Sequence, residues 1–185
     1  MNDKCKELAS EHENVNFMLD NRIDFQDEKG TVRVLGSTLW TDYDNRDPMK
    51  MEMCRRIMND HSLIEYGKRL FFPKDAADEH DLSVDFLVKN LIQLNEDRDR
   101  VVVMTHHLPT YQAVNSVYSG SRVNCAYASE LFNLIAHNGP TLWVFGHQHR
   151  STDIVIGETW LRSNPYGYHG YERNRQFNSG LVLEV

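Results

Sequence analysis

Two short apolar segments, each followed by histidines, constrain the fold of this chain more than any other feature. Residues 101–104 and 142–145 are β-branched, aromatic or otherwise apolar, which predicts two buried strands. Between them, residues 127–137 carry leucine and isoleucine at helical spacing, and Gly139-Pro140 ends that predicted helix. A strand, a helix and a second strand form a βαβ unit, so we expect two parallel, neighbouring strands.

The histidines that follow these two strands are the first candidate functional residues. Parallel strands end at the same edge of a sheet, and open α/β sheets bind ligands at that edge. Neutral imidazole is a common protein ligand for zinc and iron ions. One such histidine is more often a surface or capping residue, but four at two strand ends favour a metal site. We expect the four to converge: His106, His107, His147 and His149.

Composition excludes several classes of function. The 185 residues are 41% apolar and 25% charged, which is ordinary for one globular domain spanning residues 1–185. A formal net charge of −7 argues against nucleic-acid binding, which depends on Lys and Arg contacts to phosphates. No apolar run reaches the ~20 residues of a membrane helix, so no membrane partner is expected. Cys5, Cys54 and Cys125 are too far apart for a disulfide framework or a CxxC pair, which favours a cytoplasmic protein.

The segments around the histidines resemble a known family. Thr105-His-His-Leu-Pro109 and Gly146-His-Gln-His149 look like the last two motifs of the calcineurin-like metallophosphoesterases. One bacterial-type branch of that family is also similar to this chain at 35–42, 127–131 and 164–168, although the branch commonly has Arg in place of Tyr166. The resemblance implies an α/β sandwich of two mixed sheets flanked by helices.

The same resemblance implies a reaction and its metal ligands. Members hydrolyse phosphoesters with two divalent ions (manganese, iron or zinc), and this chain's expected substrate is a small-molecule phosphoester. His106 and His147 are expected to bind one ion and His149 the other. His107 is the candidate catalytic residue, acting through a contact to a metal ligand rather than to the metal.

Three further residues are candidate substrate-binding residues. Arg122 lies on a long loop, 110–124, between two strands that end at the site, where a guanidinium suits a phosphate. An exposed loop arginine without such a role is the alternative. His80 lies in an irregular segment that the resemblance places near the active-site mouth, with an exposed surface histidine as the alternative. Asn164 begins the shared motif at 164–168.

The first three motifs of the family have no counterpart in a fitting context. They are Asp-x-His, Gly-Asp and Gly-Asn-His-Asp/Glu, and they supply the bridging carboxylate and the acid-base histidine. Asp78-Glu79-His80 matches the Asp-x-His motif, but no apolar run that would form a strand precedes it. We therefore expect a partial domain: the carboxyl-terminal part of a metallophosphoesterase, truncated by its amino-terminal strands. This part should be inactive alone and able to self-associate through the uncovered apolar surface.

Two other functions stay open at this point. One is a non-catalytic module that binds a metal or a partner protein. The other is a hydrolase with a single ion held by His106, His147 and His149, with Asp42 as a further ligand. Asp42 directly follows a predicted strand, but it also begins a polar segment typical of a loop.

The spacing of apolar residues predicts the remaining elements. The predicted strands are 15–19, 22–27 and 31–38 in an antiparallel meander, 152–156 with 158–162 in a hairpin, and 181–185. The predicted helices are 3–12, 49–59 and 83–95, with an irregular segment at 60–82.

Overall fold

The computed structural model describes residues 2–94 and 100–185. The predicted helix end at Asn95 and the charged run 96–99 lie outside the described residues. The helices are α1 (Asn2–Ser10), α2 (Tyr43–Arg46), α3 (Pro48–Ile57), α4 (Asp60–Leu63), α5 (Pro73–Leu94) and α6 (Phe132–Asn138). The strands are β1 (Asn21–Asp27), β2 (Gly30–Ser37), β3 (Glu65–Tyr66), β4 (Arg69–Leu70), β5 (Arg100–Thr105), β6 (Leu142–Val144), β7 (Thr152–Ile156), β8 (Thr159–Ser163), β9 (Gly167–Tyr168) and β10 (Glu172–Arg173).

A six-stranded mixed sheet in the order β1-β2-β5-β6-β8-β7 carries the fold. The four central strands are parallel, and the two edge strands are antiparallel to their neighbours. The predicted βαβ unit is confirmed, since β5 and β6 pair in parallel with Val102 opposite Leu142. The α/β class of the expected fold is also confirmed. Beside this sheet, the described residues form two small two-stranded ribbons, β3–β4 and β9–β10.

One face of the sheet is buried under α5 and α6. Leu87 and Leu91 from α5, and Ile135 from α6, are at most 2% exposed and belong to the same apolar cluster as the inward residues of the sheet. Those inward residues are Leu35, Val101, Val103, Trp143 and Leu161. Each such side chain contributes roughly 1.5–3 kcal/mol through burial, so this layer holds the strands whose ends carry the histidines.

The opposite face of the sheet is more accessible and combines apolar residues with the ion pair of Arg162 and Asp153. Successive strand residues point to opposite faces, so this face receives the partly buried Val34, Val102, Val144 and Trp160. Three further residues on it are exposed: Phe25 by 51%, Met104 by 38% and Val155 by 65%. This is the kind of surface on which the expectation of self-association rests.

Two predicted strands are wrong. Residues 15–19 are irregular rather than the first strand of a meander, and the ideal Cβ position of Gly36 lies 2.4 Å from the Met18 side chain. Residues 181–185 are irregular and pair with no described strand; the Val185 carbonyl instead accepts a hydrogen bond from Arg100. Alternating apolar residues describe a strand's faces but not its hydrogen-bond partner, which the rest of the fold must supply.

Two predicted helix boundaries also differ. Helix α5 begins at Pro73 instead of residue 83, and Ala76 and Ala77 are fully buried in its first half. Alanines carry too little apolar surface to mark a stripe in the sequence, while proline is well suited to a first helical turn. Helix α6 is shorter than predicted because the backbone of Tyr127 and Ser129 pairs with Leu108. Helices α1 and α3 and the β7–β8 hairpin agree with the predictions.

Replacement of Asp47 by alanine is expected to lower the free energy of unfolding by about 1 kcal/mol. The Asp47 carboxylate accepts hydrogen bonds from the backbone N–H groups of Met49 and Lys50, which otherwise lack partners at the start of α3. Asn59 precedes α4 without a side-chain capping bond, so Asn59→Ala is the matched control. Urea unfolding of both variants measures the difference. Equal losses would contradict the capping role.

None of the helices in the described part of the chain combines the length and hydropathy that crossing a membrane requires.

Candidate functional site

The ends of β5 and β6 bring two histidines into contact. His106 follows β5, His147 lies shortly after β6, and the Nε2 atom of His106 is 3.1 Å from the Nδ1 atom of His147. The Gly146 amide donates to the His106 carbonyl, which joins the two loops directly. The predicted convergence of the two strand ends is therefore present for this pair.

The environment of His147 differs from that of an ordinary surface histidine. Its φ of 63° lies in the left-handed region, which costs energy for a residue other than glycine and is often found at functional sites. Its ring packs at 4.4 Å from both His107 and Tyr127, and its Nε2 atom is buried without a hydrogen bond of good geometry, although the backbone of Ala126 interacts with the ring. Burial lowers the pKa of His147 to about 3, so the imidazole is neutral near pH 7.

His107 packs against the rings of both His106 and His147. The side chain is 3% exposed, its Nδ1 atom bonds to the Thr38 carbonyl at 3.1 Å, and its ring lies 5.0 Å from Trp40. Burial lowers the pKa of His107 well below its usual value. The buried Thr105 hydroxyl donates to the His107 carbonyl and so fixes the turn. This placement suits the predicted indirect role, because His107 contacts the ring of His147.

His149 has a partner that the sequence did not suggest. Its Nδ1 atom lies 2.9 Å from Oε2 of Glu172, and its ring meets Tyr168 edge-on at 4.5 Å. The hydroxyl of Tyr118 donates to the other carboxylate oxygen of Glu172 at 3.0 Å. The hydrogen bond from His149 lowers the pKa of Glu172. No spacing rule links residues 149 and 172, and only the nearby 164–168 motif marked this region.

A cavity of about 760 Å³ lies in front of these histidines. His106, His147 and His149 line it, together with two acidic residues, Asp60 and Glu172. Its walls are rich in tyrosine: Tyr118, Tyr127, Tyr166 and Tyr168. Among the described residues that line this cavity, none is a lysine or an arginine. The cavity is concave and partly aromatic, as small-molecule sites commonly are.

Comparison with known proteins identifies the family. The model of the calcineurin-like phosphoesterases matches residues 12–151, which is more than half of the chain. The chain belongs to the calcineurin-like phosphoesterase family. A comparison with curated proteins gave no match.

A solved structure of a phosphopantetheinyl hydrolase from Mycobacterium tuberculosis shares the fold. Its TM-score is 0.59 at 12% sequence identity, and the match covers 80% of this chain and 54% of the other. The present chain therefore spans about half the length of that hydrolase. At this identity the likeness shows a metallophosphoesterase-type fold and no more.

Calcineurin-like phosphoesterases generally use two metal ions, so the donor atoms present here can be tested against such a centre. The facing nitrogens of His106 and His147 are close enough to bind one ion through bonds of about 2.1 Å. Among residues 2–94 and 100–185, no group of three or more His, Cys, Asp or Glu is placed to hold a metal. The predicted sphere of three histidines is thus not assembled, and Nδ1 of His149 is occupied by Glu172. The residues fit one ion and do not complete a two-ion centre.

The predicted substrate-binding residues do not enter the cavity as expected. His80 is 4% exposed and bonds to the Leu39 carbonyl at 2.8 Å, because the early start of α5 places it inside the protein. The amide of Asn164 is used to hold the backbone of Asn178, at 2.8 and 3.0 Å. Arg122 is exposed, but both of its chain neighbours line the cavity, so it stays a candidate at the rim.

Asp42 has a local structural role instead of a place at the histidine pair. Its two carboxylate oxygens accept hydrogen bonds from the amides of Asp44 and Asn45, each at 3.1 Å. These bonds cap α2, a turn whose residues have φ values between 52° and 61°. The interpretation of this segment as a polar loop is therefore the one that the structure favours.

The metal-free protein is expected to lose stability as the pH falls from about 6.5 towards 3. In this range the unfolded chain binds a proton at His147 that the folded chain, with a pKa of about 3, does not bind. The free energy of unfolding therefore falls by up to about 1.4 kcal/mol per pH unit for this group. His147→Asn should make that slope shallower, and asparagine tolerates a positive φ. Urea unfolding between pH 6 and pH 5 measures it.

The exposed His137 provides the control for this pH dependence, as His137→Asn. If both substitutions changed the slope equally, the buried environment of His147 would not be its cause.

Proposed function

We propose that this chain supplies the histidine side of a metal-dependent site that hydrolyses a small-molecule phosphoester. His106 and His147 hold one divalent ion, of manganese, iron or zinc. His149 serves a second ion in the complete site, and His107 supports the ring of His147. The observation that carries the proposal is the 3.1 Å pair of imidazole nitrogens at the ends of two parallel strands.

The physical state of the pair supports this role. A metal binds deprotonated imidazole, and affinity falls when a proton must first be displaced. Burial lowers the pKa of both His106 and His147, so both rings are neutral at pH 7. The packing of His107 and Tyr127 on His147 fixes the ring before an ion arrives, which reduces the entropy cost of binding.

The chain's own residues also shape the substrate side. The cavity is wide enough for a small organic molecule, and its tyrosines offer apolar faces with polar tips. Arg122 at the rim is the proposed cation for a phosphoester oxygen. A bound divalent ion in this family neutralises phosphoryl charge and lowers the pKa of a coordinated water.

The alternative function is a non-catalytic metal-binding module. It is favoured because a two-ion catalytic centre needs more ligands than the histidine pair, and the described residues assemble no group of three or more His, Cys, Asp or Glu that could hold a metal. The predicted truncation, self-association and cytoplasmic location stay predictions, and we carry over no substrate from the phosphopantetheinyl hydrolase.

Calorimetric titration of metal-free residues 1–185 with Zn²⁺ or Mn²⁺ tests the proposal. We expect one bound ion. We also expect His147→Asn and His106→Gln each to bind it roughly 100-fold more weakly, because losing a ligand should cost at least as much as losing a residue that orients one. His137→Asn is the control. Binding that neither site substitution weakens would overturn the assignment of the histidine pair.

Titration with inorganic phosphate separates the two functions. A phosphoesterase site should bind phosphate only when the ion is present, whereas a purely structural metal site should not bind it at all.

A further inference from the structure

We infer that Glu172 is a positioning residue, which holds His149 in one tautomer and ties the 3₁₀ turn Ser116–Tyr118 to the cavity wall. Its geometry is independent of the proposed function, but its purpose rests on that function. Glu172 lies on the short ribbon β9–β10, far from the histidine motifs in sequence. No motif or family resemblance assigned it a role.

The hydrogen bond between Glu172 and His149 fixes the protonation of the imidazole ring. An ionised carboxylate only accepts hydrogen bonds, so the 2.9 Å contact requires His149 to carry its proton on Nδ1. In a neutral ring, Nε2 is then left with a lone pair. Which nitrogen of a histidine carries the proton is set by the partner of the other nitrogen. Glu172 thus keeps Nε2 of this cavity-lining residue available as an electron-pair donor.

The hydrogen bond between Tyr118 and Glu172 fixes the cavity wall. Oε1 of Glu172 accepts from the Tyr118 hydroxyl at 3.0 Å, so one carboxylate connects two separate parts of the lining. Tyr118 ends a 3₁₀ turn whose side-chain cap comes from Asn115. The amide of Asn115 in turn donates to Gln148, which directly precedes His149. The loop is therefore linked to the histidine turn at two points.

The sequence around Glu172 is suited to this position. The ribbon pairs Glu172 with Tyr168, the residue that packs edge-on against His149. Gly167 has a φ of 82°, and a Cβ atom there would lie 2.2 Å from the Glu172 carbonyl oxygen. Only glycine permits this close approach. Since Gly167 allows the ribbon to form, the ribbon delivers the carboxylate and the aromatic ring to the same histidine.

Nitrogen-15 NMR of the histidine rings in metal-free residues 1–185 tests the role of Glu172 in setting the tautomer of His149. At pH 8.5 we expect His149 to give the signals of the Nδ1–H tautomer, and Glu172→Ala to shift it towards the Nε2–H tautomer. Tyr118→Phe should leave the tautomer unchanged, because it removes the bond to the other oxygen. Arg173→Ala, on the same strand, controls for disturbance of the ribbon. The backbone amide spectrum verifies that each variant is folded.

Two outcomes would overturn the inference. One is the same His149 tautomer in Glu172→Ala as in the unchanged chain. The other is an equal shift in Arg173→Ala, which would mean that ribbon structure, not the carboxylate, sets the tautomer.

Zn²⁺ titration of the same variants separates this role from the histidine pair. The single ion proposed for this chain is held by His106 and His147, whereas Glu172 contacts His149, so we expect Glu172→Ala to bind that ion as tightly as Arg173→Ala does. A loss of about 10- to 100-fold in Glu172→Ala alone, the usual effect of losing a carboxylate that orients a ligand histidine, would contradict the assignment of His149 to a second ion. A chain that binds no Zn²⁺ at all would refute the proposed function and leave the tautomer result intact.

Discussion

Residues 1–185, supplied with manganese, are expected to hydrolyse a simple phosphodiester no faster than their own His147→Asn variant does. Two-metal hydrolysis uses ions about 3.5–4 Å apart that stabilise both the attacking and the leaving oxygen. A bridging ligand needs two lone-pair sites, which a carboxylate has and a singly bound imidazole lacks. The described residues assemble no group of three or more metal-binding side chains. Release of p-nitrophenol from bis(p-nitrophenyl) phosphate measures the rate.

A rate well above that of His147→Asn would contradict this expectation. It would favour the one-metal hydrolase, provided that His137→Asn kept the full rate.

Replacement of Trp143 by alanine is expected to cost about 3–5 kcal/mol of stability. Trp143 is fully buried between the sheet and its helices, and its Nε1 atom donates to the Thr105 hydroxyl at 3.0 Å. Domains of this kind have about 5–15 kcal/mol in total, so a large share of the molecules should unfold at moderate urea concentration. Circular dichroism during urea titration measures the loss.

The matched control is Trp160→Ala, on the opposite face of the same sheet. Trp160 is only partly buried and donates to the exposed Asp153, so its loss should be less than half as large. Equal losses would mean that the face covered by α5 and α6 is not the main core.

The parts of the fold that could be predicted are those that depend on residues close together in the sequence. The runs at 101–104 and 142–145 are dense in apolar residues because strands there are buried, and the turn chemistry after them places the histidines. Parallel pairing then follows from the helix between them. This is why the meeting of His106 and His147 could be expected from sequence.

Other parts depend on contacts between distant residues. Ala76 and Ala77 bury the first half of α5 against a second cluster with Cys54 and Phe71, and this extension carries His80 inside. Glu172 reaches His149 only because a two-residue ribbon folds back over the cavity. Neither arrangement leaves a period or a motif, so sequence reasoning placed His80 at the substrate and overlooked Glu172.

The most direct test of the central claim is a crystal of residues 1–185 soaked with Zn²⁺ and measured at the zinc absorption edge. We predict one anomalous peak about 2.1 Å from a ring nitrogen of both His106 and His147. An ion bound elsewhere, with these two rings still in contact with each other, would contradict the assignment of this pair as the metal-binding centre.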